Sequence, residues 1–214
     1  MKKNIHKTAI IGKNVIIECR DFTLGANSII KDNCIIKCTK FKAGVGLYMC
    51  EGVEVGRGGC FGPKSNFGPV YIGNNVWLPA RSIVLPNVKI GENTVIGIGS
   101  IINRSIPKGC FAAGSPCKVL KENCYPRELS DEEKYNILAS IVKDYLELIN
   151  FKGLEVDIEI NSDSLILKRV EGKTIFNIEK RTIEGYHDKI SEDMRDYLRR
   201  RGIKIFTKNK FKSI

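Results

Sequence analysis

Few residues of this chain are equipped for proton transfer or metal binding near neutral pH. Its 214 residues include two histidines, His6 and His187, and eight cysteines, at positions 19, 34, 38, 50, 60, 110, 117 and 124. No two cysteines form a CxxC pair, and the tightest spacing is Cys34 to Cys38. A zinc site needs three or four such ligands brought together, and the pattern does not supply one, so no metal is expected. Secreted disulfide scaffolds are shorter and denser in cysteine. We read these cysteines as reduced and mostly buried, in a cytoplasmic protein. One segment concentrates reactive side chains between Gly-Pro steps: Cys60, then Lys64, Ser65 and Asn66, closing at Gly68-Pro69. Ser65 and Asn66 can orient a hydroxyl or an amine but cannot take its proton at pH 7. Lys64 is charged unless desolvated, and Cys60 is a nucleophile only in a basic setting. Residues 60–69 contain no His, Asp or Glu.

Charge is placed unevenly. Residues 1–124 carry 17 Lys/Arg against 7 Asp/Glu, whereas 125–214 are nearly balanced. A basic domain attracts nucleic acid, an acidic membrane surface or a phosphorylated small molecule. No Lys/Arg run with interleaved aromatics is present, which argues against nucleic acid. No apolar run reaches the length of a membrane span, and Met1–His6 begins basic without the apolar core of a signal peptide.

These residues must be positioned by a repeat. From Ile72, steps of six land on Leu78, Val84, Ile90, Ile96 and Ile102. Four residues after each aliphatic position comes a small or β-branched one: Val76, Ser82, Val88, Thr94, Ser100. Asn recurs three residues after it, at Asn14, Asn27, Asn33, Asn75, Asn87 and Asn93. Asn tolerates positive φ, which a corner turning the same way at each hexad requires. Each hexad therefore reads as a short strand and a corner, stacking into a mainly β, parallel β-helix over residues 1–124. The frame slips near 19–23, 37–54 and 63–71, which we assign to loops.

A second domain, 125–214, begins with a long helix. Ser130 and Glu133 form a capping box, and Ile137, Leu138, Ile141, Val142, Tyr145, Leu146 and Ile149 follow at helical spacing. Asn150 and Gly153 end it. Strands are expected at 154–160, 164–170 and 174–178, a helix at 191–201 capped by Ser191, and a last strand at 203–206. The whole is a small α+β module with a solvated basic tail beyond Thr207.

The stretch from Val70-Tyr71-Ile72-Gly73 through Trp77-Leu78-Pro79-Ala80-Arg81 and Asn103-Arg104 to Ala113-Gly114-Ser115-Pro116-Cys117-Lys118 resembles the hexapeptide-repeat acyltransferases. Within them it is most similar to the sugar O-acetyltransferase branch. The resemblance implies a left-handed β-helix, a homotrimer with clefts between subunits, and acetyl-CoA or another acyl-CoA as co-substrate. The acceptor would be a small molecule, a sugar or amino sugar. It places Ala80 and Ile98 along the pantetheine arm, Asn103 and Arg104 where a Thr-Lys pair meets the cofactor, and Lys118 and Lys121 near the nucleotide phosphates. Pro79 stands where the family usually has Gly, and Ile98 where it has Ala or Gly. The family's general-base His belongs in the loop that here reads Lys64-Ser65-Asn66, leaving Ser65 and Asn66 as the catalytic candidates. Two readings follow: acyl transfer to an acceptor needing little base assistance, or a catalytically inactive scaffold that binds a ligand or partner.

Overall fold

The computed structural model describes residues 2–56, 68–161 and 163–207. The chain divides into two compact units, Met1–Arg127 and Glu128–Ile214.

The first unit is a β-helix whose strands pair in parallel across successive coils. Three faces alternate along the chain. An aromatic face stacks Ile10, Ile29, Tyr48, Trp77, Val95 and Phe111 in register. An aliphatic face stacks Ile16, Ile35, Glu54, Ile83 and Ile101. A lysine face stacks Thr23, Lys42, Tyr71 and Lys89. The neighbouring residue on each rung points inward, because side chains alternate along a strand. Ile72, Leu78, Val84, Ile90, Ile96 and Ile102 are all buried. Each such side chain contributes about 1.5–3 kcal/mol by leaving water. The small residues Val76, Ser82, Val88, Thr94 and Ser100 are buried at the corners. There the hydroxyls are satisfied by backbone carbonyls, Ser82 by Pro79 at 2.8 Å and Thr94 by Pro107 at 2.9 Å.

The Asn ladder behaves as its spacing predicts. Asn14, Asn27, Asn33, Asn75, Asn87 and Asn93 all have φ between 53° and 66°. Gly46, Gly52, Gly99 and Gly109 occupy the same corner position with positive φ, and so does Arg81 at 59°. Side chains also connect coils, with Asn75 Nδ2 donating to Asn93 Oδ1 at 3.1 Å.

Two of the expected loops are strands. Ile16–Leu24 and Ile35–Ala43 each run without interruption from the aliphatic face to the lysine face. Their coils are one residue longer than the eighteen separating Trp77 from Val95, and the extra residue is absorbed at the bend. Inside the bend Phe22 stacks on Phe41 with centroids 5.2 Å apart, and Cys19 Sγ lies 3.5 Å from Cys38 Sγ. The rest of 37–54 and the described part of 63–71 also contain strands, at Tyr48–Met49, Glu54–Val55 and Val70–Ile72. A six-residue frame breaks in sequence when one residue is added, and here two successive residues stay outside at the bend, so the inward positions pass from Cys19 to Phe22 and from Cys38 to Phe41.

In the second unit, helix α1 spans Asp131–Phe151 with the Ser130–Glu133 capping box in place. An antiparallel sheet follows, in the order Asp157–Ile160, Ser164–Lys168, Lys173–Asn177, Thr182–Gly185. Helix α2 spans Lys189–Arg200 and its N-cap is Asp188; Ser191 is the third residue inside, returning the hydrogen bond to Asp188. Ser and Asp three apart are both competent caps, and only the backbone decides which is extended. Residues 203–207 form no strand, although Phe206 N–H donates to Arg181 O at 2.9 Å. The strand at Thr182–Gly185, absent from the sequence reading, completes the sheet. Ile141, Val142, Tyr145 and Ile149 of α1 share a core with Leu165, Leu167, Phe176, Met194 and Leu198. Tyr145 donates to Asp193 at 3.2 Å, and burial raises its pKa. The basic tail beyond Thr207 lies outside the described residues.

Candidate functional site

The corner between the aromatic and aliphatic faces is built from turns whose first residues are Ala80 and Ile98. Ala80 O accepts from Gly99 N–H at 3.2 Å, so the two turns stack directly. The chain crosses this corner once more at Gly114, whose carbonyl accepts from Ile101 N–H at 3.0 Å. The strand Lys118–Lys121 then returns antiparallel, pairing Lys118 with Ala113 and Lys121 with Phe111. Lys118 is thus brought beside the corner of Ala80 and Ile98, and Lys121 is carried to the far edge of the aromatic face. Asn103 and Arg104 follow Ile101–Ile102 and lie at the other edge of the aliphatic face, on the coil after Leu85. Asn103, Arg104, Lys118 and Lys121 are all exposed.

The six residues therefore occupy three edges of one prism. Ala80, Ile98 and Lys118 share an edge; Asn103 with Arg104, and Lys121, do not join it within a single chain. Ile98 is 77 % exposed at its corner, so its side chain stands out from the turn and does not fill the core. Ser65 and Asn66, with Cys60 and Lys64, lie outside the described residues.

One group at this corner carries no mark in the sequence. Cys50 is half-buried in the coil below Pro79, and its Sγ accepts from Trp77 Nε1–H at 3.4 Å. Burial raises its thiol above the ordinary value, against the lowering influence of Trp77 and of the Ala80 N–H. Cys50 is therefore a neutral thiol at pH 7, packed under the corner. The other described cysteines, 19, 34, 38, 110, 117 and 124, are free, with Cys124 half-buried and the rest buried. Among the described residues no group of three His, Cys, Asp or Glu side chains is placed to hold a metal. No helix of the described residues is long and apolar enough to cross a membrane.

Residues 69–104 match the family of bacterial transferase hexapeptides (six repeats). That span covers the corner and both of its stacked turns. This part of the β-helix is similar to bacterial transferase hexapeptide repeats. A stretch of 67 residues is 45 % identical to galactoside O-acetyltransferase of Escherichia coli K12, covering 31 % of this chain and 30 % of that one. A stretch of 54 residues is 48 % identical to a putative acetyltransferase of Saccharomyces cerevisiae, covering 25 % of this chain and 28 % of the relative. The matched segment spans about a third of these relatives' length. Among solved structures, the maltose O-acetyltransferase of Clostridium difficile 630 aligns over 56 % of this chain and 68 % of its own, at 26 % identity and a TM-score of 0.48. Galactoside acetyltransferase in complex with coenzyme A aligns over 59 % and 68 %, at 27 % and 0.46.

Proposed function

We propose that this protein is an acyltransferase that moves an acetyl or other acyl group from CoA to a hydroxyl or amine of a sugar or similar small acceptor. We further propose that it works in the cytoplasm as a homotrimer. The observation that carries this reading is the hexapeptide segment, 45 % identical over its matched stretch to a galactoside O-acetyltransferase. Ala80 and Ile98 would line the pantetheine arm, and Lys118 on the same edge would meet a phosphate. CoA brings several negative charges, and the basic first domain lowers the cost of holding them. Asn103, Arg104 and Lys121 lie on other edges, so they would reach the same cofactor from the facing surface of a second copy. The apolar outer rows of the aromatic and aliphatic faces support such packing, since apolar rows on a β-helix gain stability when another surface covers them.

In the transfer, the acceptor oxygen or nitrogen attacks the thioester carbonyl, the carbon–sulfur bond breaks, and the acceptor's proton ends on the departing CoA sulfur. Ser65 and Asn66 would orient the acceptor, and positioning with backbone N–H donors would supply much of the rate. The composition of residues 60–69, with no proton acceptor, favours an amine over a hydroxyl as nucleophile. It is also the specific feature behind the second reading, a scaffold that binds without catalysis. Titration calorimetry with acetyl-CoA and desulfo-CoA separates the two. Binding of both supports the transferase, and no heat at millimolar ligand refutes it in favour of the scaffold. An acceptor screen of sugars and amino sugars then distinguishes O- from N-transfer.

A further inference from the structure

The lysine face holds a groove of about 780 Å³ that none of the candidate site residues lines. Its floor is backbone. Gly73 and Gly91 stack on successive coils, Gly73 N–H donating to Ile90 O at 2.8 Å and Gly91 N–H to Ile106 O at 2.9 Å. A Cβ on Gly73 would lie 2.5 Å from Glu92 N, so this column stays without side chains and a trough runs along the β-helix axis. One wall is the ladder Lys42, Tyr71, Lys89, on consecutive rungs about 4.8 Å apart. The two lysines thus stand roughly 10 Å apart with an aromatic ring between them. Lys89 Nζ lies 5.8 Å from the centre of the Tyr71 ring. The other wall carries Asn74, Glu92 and Lys108, all exposed. Asn74 Oδ1 accepts from Val45 N–H at 2.8 Å, which leaves the amide Nδ2 as the donor of this exposed side chain. Among the described residues, Lys42, Lys89 and Lys108 form no ion pair.

We propose that this groove binds an anionic oligosaccharide laid along the β-helix axis. The trough is open and elongated, suited to a chain and not to an enclosed small ring. An aromatic ring on the wall offers a flat apolar plate to the C–H face of a pyranose. Asn74 donates and Glu92 accepts, the pair of roles that a ring of hydroxyl groups requires. Lys42 and Lys89 add a demand for acidic substituents on the chain, in a field with three cations to one anion. The inference rests on the groove alone and does not require acyl transfer.

Calorimetry on the whole chain with hexagalacturonate, neutral galactohexaose and tripolyphosphate tests it. The charged hexamer should bind at least tenfold more tightly than the neutral one and than tripolyphosphate, and more weakly as salt rises. Lys42→Gln combined with Lys89→Gln should cost at least tenfold for hexagalacturonate, and Tyr71→Ala should weaken both hexamers. All of these side chains project from the surface, and an unchanged Trp77 unfolding transition shows that the variants fold. Absence of binding at millimolar concentration, equal affinity for charged and neutral hexamers, indifference to the double substitution, or equal affinity for tripolyphosphate would overturn the assignment. CoA binding by the double variant should be unchanged; its loss would mean that the groove belongs to the cofactor site instead.

Discussion

Replacing Asn75 tests whether the corner conformation holds the β-helix together. Asn75 sits at φ 55° and donates from Nδ2 to Asn93 Oδ1 at 3.1 Å across coils. Any Cβ at that φ meets the following carbonyl, at about 1–2 kcal/mol; Asn offsets this strain through its short polar side chain, and alanine leaves it uncompensated. Losing the side-chain hydrogen bond costs about 1 kcal/mol more, so Asn75→Ala should destabilise by ~2–3 kcal/mol. Glycine removes the steric part and adds only the entropy of a freer unfolded chain, so Asn75→Gly should cost ~1–1.5 kcal/mol. The chain has a single tryptophan, Trp77, two residues away and inside the β-helix unit. Urea unfolding followed by its fluorescence therefore reads this unit without interference from the second. The glycine variant should unfold at a clearly higher midpoint than the alanine variant. Equal losses for the two substitutions, or a neutral Asn75→Ala, would refute the argument that positive φ selects Asn at these corners.

Arg81 occupies the same kind of corner at φ 59°, so Arg81→Gly should raise the urea midpoint by the equivalent of about 1 kcal/mol. Gly73→Ala should lower it severely, because the new methyl meets the backbone of Glu92; a normal midpoint would show that the coils can spread. In the Cys19–Cys38 pair, the hydrogen bond from Cys38 lowers Cys19 below the ordinary thiol value, and burial opposes it. A lowered folded value means stability present at high pH and lost as pH falls through it. Thiolate absorbance near 240 nm should thus appear below the ordinary titration range of about 8.5, and Cys38→Ala should abolish that early component. On the proposed transferase reading, Lys118→Ala should weaken CoA more than dephospho-CoA in calorimetry, and equal losses would remove its phosphate role.

The sequence by itself determined the coil. Aliphatic residues every six positions and Asn recurring at the corners are local requirements, one for burial and one for backbone sign, and both can be read without knowing what packs against what. The long helix of the second unit was legible for the same reason, since capping and periodicity act within one segment. What only the tertiary structure decided is which coil lies on which. The strands at Ile16–Leu24 and Ile35–Ala43 looked like breaks because an added residue disturbs a six-residue count, yet pairing with the next coil keeps them extended. The choice of Asp188 over Ser191 as a cap, and the edge strand at Thr182–Gly185, likewise follow from the packing of that unit. The site shows the division most plainly. The resemblance to the hexapeptide-repeat acyltransferases named Ala80, Ile98 and Lys118 separately, but only stacking puts them on one edge and sends Arg104 to another. The groove of Lys42, Tyr71 and Lys89 has no mark in the sequence, because its three residues are 29 and 18 positions apart and become neighbours only when the coils pair.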